Sequence, residues 1–219
     1  TVPPTPSHIC LHNINGIPKD PGLSKLSAGL QIAASMDHDI TAWVETNTPW
    51  HSDPYTSSHL ASYAHKYLGT GCAIITSSNE LDPNPSPSQT GGCALILKPS
   101  LASHICNRGS DPLGRFCWAT LQGKASKKVT IICGYRASSS NNGERSAYFH
   151  QQRGLETLNR STENPINSFY TDIHKLIQRE CSHPNHEFLL LCDANESITN
   201  SLRPKAGTLD WLAQEHTLR

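Results

Sequence analysis

"EFLLLCDANE", residues 187–196, sets five apolar residues directly against an acid, an alanine and an amide. A solidly apolar run of this length reads as a buried strand. Its abrupt stop in Asp193-Ala194-Asn195 reads as a device for holding polar side chains at the edge of a sheet. The rest of the chain is read for other strand ends that share that edge.

Six further stretches read as strands: "HICLHN" (8–13), "ITAWVE" (40–45), "CAIITS" (72–77), "CALILK" (93–98), "RFCWATLQ" (115–122) and "KVTIICGY" (128–135). Some alternate and some are apolar throughout, which fits strands covered on one or both faces. "QGKASKK" reads as the hairpin connection between the last two. Helical spacing of apolar residues predicts helices over 23–36 (Leu26, Leu30, Ala33), 59–68 (Leu60, Tyr63, Ala64, Tyr67) and 165–180 (Ile166, Phe169, Ile173, Leu176, Ile177), and a short closing one with Leu209 and Leu212. Pro165 suits a first helical turn. Residues 77–92 and 137–145 read as loops. Blocks of strands flanked by helices predict two packed β-sheets with helices outside, in one domain over 1–219.

Composition narrows the function classes. Lys+Arg and Asp+Glu both number 18, so there is no global pull toward nucleic acid. The longest apolar runs are too short to span a bilayer, and no membrane partner is expected. None of the 8 cysteines forms a C-x-x-C pair, and most sit in apolar strand-like runs. Single buried thiols of an intracellular, reducing compartment are the preferred reading over a disulfide framework or a zinc site. The chain begins at Thr1, which reads as a piece of a longer protein.

The strand ends carry the chemistry. "LHNING" brings Asn13 and Asn15, "WVETN" brings Glu45, "CGYR" brings Tyr135 and Arg136, and "CDANE" brings Asp193 and Asn195. Converging on one rim, they would supply two carboxylates, several amides, a phenol and a guanidinium. Mg²⁺ is hard and takes oxygen ligands, usually one or two carboxylates with water and phosphate oxygens. Amide and phenol donors hold a phosphate without themselves losing a proton.

"LHNING", "WVETN", "GGCALIL", "GRFCWATLQG", "TIICGYR" and "FLLLCDANE", in this order, resemble the endonuclease/exonuclease/phosphatase superfamily. The nearer likeness is to its apurinic-endonuclease-like branch, as carried by non-LTR retrotransposons. The resemblance implies an α/β (α+β) four-layer sandwich of two mixed β-sheets flanked by helices. It also implies Mg²⁺-dependent (or Mn²⁺-dependent) phosphodiester hydrolysis, with DNA as partner. A retroelement origin would add a reverse transcriptase domain in the same longer polypeptide and a nuclear location.

It further implies roles. Glu45 resembles the main metal-binding glutamate, with Asn13 close to metal and phosphate and Asn15 at the next polar position. Tyr135 is similar to the tyrosine facing the scissile phosphate. Asp193 resembles the aspartate that orients the attacking water, and Asn195 its phosphate-stabilising partner. Arg136 stands where the family commonly has a small apolar residue, and is read as an additional phosphate contact. The family closes its site with a C-terminal Asp-His pair; no Ser-Asp-His follows Asn195 here. The chain is therefore expected to lack C-terminal strands, and residues 1–219 alone to nick DNA negligibly.

Other readings stay open. Asp193 and Asn195 would also form an Asx-turn, Asn13 would cap a turn at Asn15-Gly16, and Tyr135 would serve as a core aromatic. Arg136 would be an ordinary ion-paired side chain. Trp50 is the tryptophan best placed by sequence to stack on a base or sugar. The loop with Arg145 reads as a connection, with nucleic-acid contact the lesser option. At the level of function, an inositol-phosphate or phospholipid phosphatase and a non-catalytic binding module are the alternatives.

Overall fold

The computed structural model describes residues 8–83, 89–138, 143–181, 183–196 and 204–216. The strands are β1 (Ile9–Asn13), β2 (Ile40–Val44), β3 (Ala73–Ser77), β4 (Cys93–Leu97), β5 (Ile105–Ser110), β6 (Phe116–Gln122), β7 (Lys128–Tyr135) and β8 (His186–Asp193). The helices are α1 (Ser24–Ser35), α2 (Pro54–Leu68), α3 (Pro99–Ala102), α4 (Ala147–Thr157), α5 (Pro165–Glu180) and α6 (Leu209–Glu215). They form two mixed four-stranded sheets, ordered β1-β2-β4-β3 and β5-β6-β7-β8.

The period of two along each strand explains the layers. In β4, Cys93, Leu95 and Leu97 point into the core between the sheets, where they meet Cys117, Ala119, Ile131 and Cys133 of the second sheet. Ala94 and Ile96 point the other way, with Trp43 of β2, onto Leu26, Leu30, Leu60 and Ala64 of α1 and α2. Ile132 and Phe116 leave the second sheet outward, onto Phe169, Ile173, Leu176 and Ile177 of α5 and Leu212 of α6. The order is helix, sheet, sheet, helix, so "CALIL" is apolar at every position because both faces are covered.

Caps set the helix starts. Asp53 accepts from the Thr56 N–H and Asn164 from the Ile166 N–H, each just before a proline at the first helical position. The Asp53-Pro54 pair starts α2 five residues before His59, so the expected helix 59–68 was too short at its front.

Three elements escape the apolar pattern. β5 is a polar edge strand, "ICNRGS", with a register shift between Ile105 and Asn107. The buried stripe of α4 contains His150 and Gln151, which disguise it, and α3 is a single turn. The quoted stretch also needs correction: β8 is no buried strand, since none of its residues is fully buried. It lies at the edge of its sheet, paired on one side only among the described residues. The cysteines are free thiols, with Cys93, Cys117 and Cys133 buried between the sheets.

Candidate active site

β1 runs parallel to β2, and β7 runs parallel to β8, with Asn13 level with Val44 and Tyr135 level with Asp193. Level residues on paired strands point to the same face. Asn13 therefore follows Val44, and Asp193 follows Tyr135, into the space between the sheets. At that rim the Asn13 Nδ2 donates to Asp193 Oδ2 at 2.9 Å, joining one sheet to the other across 180 residues of sequence.

The two edge strands end alike. Asn13-Ile14-Asn15 and Asp193-Ala194-Asn195 each close an Asx-turn. The Asn15 N–H donates to Asn13 Oδ1 at 3.0 Å, and the Asn195 N–H to Asp193 Oδ1 at 3.4 Å. Asn15 and Asn195 both take the left-handed conformation at φ 45°, which asparagine tolerates better than most residues. The turn reading and the site reading therefore coexist: one atom of each side chain closes its own turn, and the other reaches the opposite sheet.

Glu45 sits one residue past β2, also left-handed, at φ 52°. For a glutamate this is an uncommon backbone, held only where surroundings impose it. Here the imposition is visible. The Gly16 N–H donates to the Glu45 carbonyl at 2.6 Å, and the Thr46 and Asn47 N–H groups donate to the Gly92 and Gly91 carbonyls at 3.3 and 2.7 Å. Asn47 Oδ1 in turn accepts from the Gly91 N–H at 2.7 Å. Gly92, at φ 83°, admits no Cβ, which would lie 2.7 Å from Thr46 Oγ1 and 3.1 Å from the Ser77 carbonyl. Asn47, Gly91 and Gly92 thus position Glu45. Sequence reading passed over their role, although a double glycine before a strand was a signal of close backbone approach. The loop leading to Gly91 is tied down as well: Asn79 and Gln89 exchange hydrogen bonds, Asn79 Nδ2 donates to the His150 carbonyl, and Arg153 grips Asp82.

The Tyr135 phenol is buried, and its pKa is raised by that burial and then by the Glu45 and Asp193 carboxylates. It stays protonated at neutral pH and so remains a donor between two acids.

One expectation and one lesser reading are overturned. Arg136, expected to contact phosphate, is 5% exposed. Its guanidinium donates to the Ala194 and Asn195 carbonyls, faces Glu196 at 3.6 Å and lies over the Tyr170 ring. Asn195 Nδ2 returns a bond to the Arg136 carbonyl at 2.8 Å. Arg136 braces the Asp193–Asn195 turn from behind and turns its donors away from a ligand. Trp50, the tryptophan best placed by sequence to stack on a base, is buried under the Glu45 loop with its Nε1–H donating to Thr46 Oγ1 at 3.0 Å.

The donor set fits a hard divalent cation. Its candidate ligands are all oxygen, from Glu45, Asp193, Asn13 and Asn15. Among the described residues no group of three or more His, Cys, Asp or Glu side chains makes a ready protein cage. An ion that keeps water and phosphate oxygens in its shell suits such a sparse set.

No protein-family model and no curated protein matches this chain. Solved structures are. The AP endonuclease LMAP from Leishmania major aligns over 93% of this chain and 60% of its own, with a TM-score of 0.56 and 17% identity. The mannosyl-6-phosphatase Bt3783 of Bacteroides thetaiotaomicron VPI-5482 aligns over 87% and 66%, with a TM-score of 0.52 and 12% identity. The human Nocturnin catalytic domain with bound sulfate aligns over 89% and 65%, with a TM-score of 0.50 and 13% identity. The chain shares the fold of these three structures. It spans less than two thirds of the length of these structures. Among the described residues no helix is long and apolar enough to cross a membrane.

Proposed function

We propose that the chain is the catalytic domain, or part of one, of a divalent-metal-dependent phosphodiesterase that cuts DNA. The carrying observation is the meeting of Asn13 and Asp193 from separate sheets beside a protonated Tyr135 and a conformationally constrained Glu45. The LMAP structure is named as an AP endonuclease, and the order of sequence motifs favours a nicking enzyme of a retroelement.

Glu45, with the Asn13 amide oxygen, would hold Mg²⁺ or Mn²⁺. When bound, the cation supplies positive charge against the phosphoryl oxygens and the leaving group. The chain's own residues do the rest. Asp193 is fixed on both oxygens, by Asn13 Nδ2 and the Asn195 N–H, and accepts a proton from a water as its oxygen attacks phosphorus. The P–O ester bond opposite the incoming oxygen breaks, and the departing oxygen takes a proton from solvent. The Tyr135 phenol and the second N–H of the Asn195 amide donate to the non-bridging oxygens as charge grows there. Arg136 supports this indirectly, by holding Asn195.

Mg²⁺-dependent nicking of supercoiled plasmid tests the reading, using the 219-residue chain and any longer natural form of it. Nicking is expected to stop in EDTA and to fall by several orders of magnitude in Glu45→Gln and in Asp193→Asn. Undiminished nicking in EDTA or in Glu45→Gln would overturn it. Because Bt3783 is a sugar phosphatase of the same fold, mannose 6-phosphate belongs in the panel. Turnover of that monoester with no cutting of DNA would assign a phosphatase instead.

A further inference from the structure

A half-enclosed cleft of about 300 Å³ opens beside Glu45 and Tyr135, with Asn15, Asn47, Arg145 and Tyr148 on its other walls. Glu45 and Arg145 are the two charged residues in that lining. The state of the arginines across the fold makes Arg145 stand out. Arg115 is locked by Asp111 and Asp172, Arg153 by Asp82, Arg160 by Glu163 and Asp172, and Arg179 by Glu180. Arg136 is spent on carbonyls. Arg145 and Arg108 keep guanidinium groups without a hydrogen bond or ion pair among the described residues, and Arg108 lies on β5, the edge strand farthest from the site in its sheet. Arg145 is nonetheless placed, because its carbonyl accepts from Thr90 Oγ1, two residues before the Gly92 that supports Glu45.

A second hollow adjoins the first. Asn15 and Asn47 line both, and beyond them stand Lys19, ion-paired to Asp53 at 3.0 Å, and Lys25. Lys25 Nζ lies 3.1 Å from the Asn15 carbonyl, which brings its charge to the same rim. Cationic groups therefore stand on either side of the Glu45–Asn15–Asn47 centre, in a protein with no net charge to explain them as bulk attraction. A lone phosphate monoester needs only the centre. A strand carries a phosphate at every nucleotide and would engage the flanks too.

We infer that Arg145 grips the phosphate adjacent to the scissile one, so that the site takes an internal phosphodiester within a polynucleotide strand. The inference rests on Glu45, Tyr135 and Asp193 being the hydrolytic centre, and it adds the residue that holds the strand beside that centre. Unlike Arg136, whose donors are taken by carbonyls, Arg145 lines the cleft with no hydrogen bond to its guanidinium among the described residues, so that group is free to bind a phosphate with two parallel hydrogen bonds.

The test measures binding of fluorescent oligothymidylate, ten nucleotides long, in EDTA across a salt series, for wild type, Arg145→Gln and Arg108→Gln. Arg145→Gln is expected to bind roughly tenfold more weakly, as loss of a charge-assisted contact implies. Its plot of log affinity against log salt should be shallower by about 0.7, the value for one phosphate contact on a single strand. Arg108→Gln should match wild type. An unchanged slope in Arg145→Gln, or an equal loss in Arg108→Gln, overturns the inference. Hydrolysis of bis(4-nitrophenyl) phosphate, a diester with one phosphate, separates the two layers. If Glu45→Gln abolishes it while Arg145→Gln leaves strand binding intact, the hydrolytic reading stands and the inference falls. If wild type, in its longest natural form, hydrolyses neither this diester nor DNA, the reading itself fails. If Arg145→Gln depresses the small diester as much as the strand, Arg145 serves the reacting phosphate and not its neighbour.

Discussion

β2 and β4 are buried at every position, whereas β1 and β8 are fully buried at none. All four end at the same rim or begin there, and the candidate site draws on both kinds. Glu45 stands on the buried pair, clamped by Gly91, Gly92 and Asn47. Asn13 and Asp193 stand on the open pair, where Ile9 and Leu11 remain 39% and 37% exposed. The difference teaches that a site can divide its tasks. The carboxylate assigned to the cation follows a strand of the close-packed core, while the amide that shares the cation and the carboxylate assigned to water sit on strands whose outer edges are unpaired among the described residues.

Stability measurements would break or sharpen that contrast most directly. Leu95→Ala in β4 removes a side chain with no exposure, and should cost about 2–5 kcal/mol in urea unfolding. Leu11→Ala in β1 should cost less than about 1 kcal/mol, because much of that side chain already meets water. Equal costs would mean that β1 is covered in solution.

Activity should divide differently. Tyr135→Phe removes a buried donor from the centre and is expected to lower kcat by about 10²–10³-fold, the range for one such donor. Arg136→Ala should lower kcat by roughly tenfold with a smaller change in KM, because it releases the Asn195 turn without removing a ligand contact. Arg136→Lys should restore little, since a single ammonium cannot reach both carbonyls as the planar fork does. A rise in KM alone would return Arg136 to the phosphate-contact role rejected here.

The smallest expected effect lies on the outer layer. His174 Nδ1 and His216 Nε2 are 2.9 Å apart where α6 meets α5, so one ring must donate and the other accept. Burial, then His174, lowers the His216 pKa below its ordinary 6.5. A folded-state pKa below the unfolded one contributes stability that is present above pH 6.5 and lost as pH falls through the folded value. The melting temperature should therefore drop modestly from pH 7 to pH 5, and less so in His216→Asn.

Much of this was legible in the sequence. Both-face burial is written into "CALIL" and "TIICGY", and the stripe of α5 into its apolar spacing. The polar ends at Asn13, Glu45, Tyr135 and Asp193 were visible as an amide, two acids and a phenol closing apolar runs. What was hidden was pairing. "FLLLCD" is as apolar as a central strand, and nothing local to it says that one edge goes unpaired. Arg136 and Trp50 were misread for a related reason. Their partners, the Ala194 and Asn195 carbonyls and Thr46 Oγ1, depend on where loops fold back, and residue type alone does not report that. The polar strand β5 left no periodic trace at all.

The hydrogen bond from the Gly16 nitrogen to the Glu45 carbonyl has a bearing on shelf life. Asparagine followed by glycine is prone to spontaneous ammonia loss, which begins when the glycine nitrogen attacks the asparagine side chain. Asn15 is solvent-exposed, but the nitrogen that would attack it is already engaged. Peptide mapping of stored protein should find Asn15 intact while the chain is folded and deamidating once urea opens the loop, so that isoaspartate at this position would record how long the rim of the candidate site has stood open.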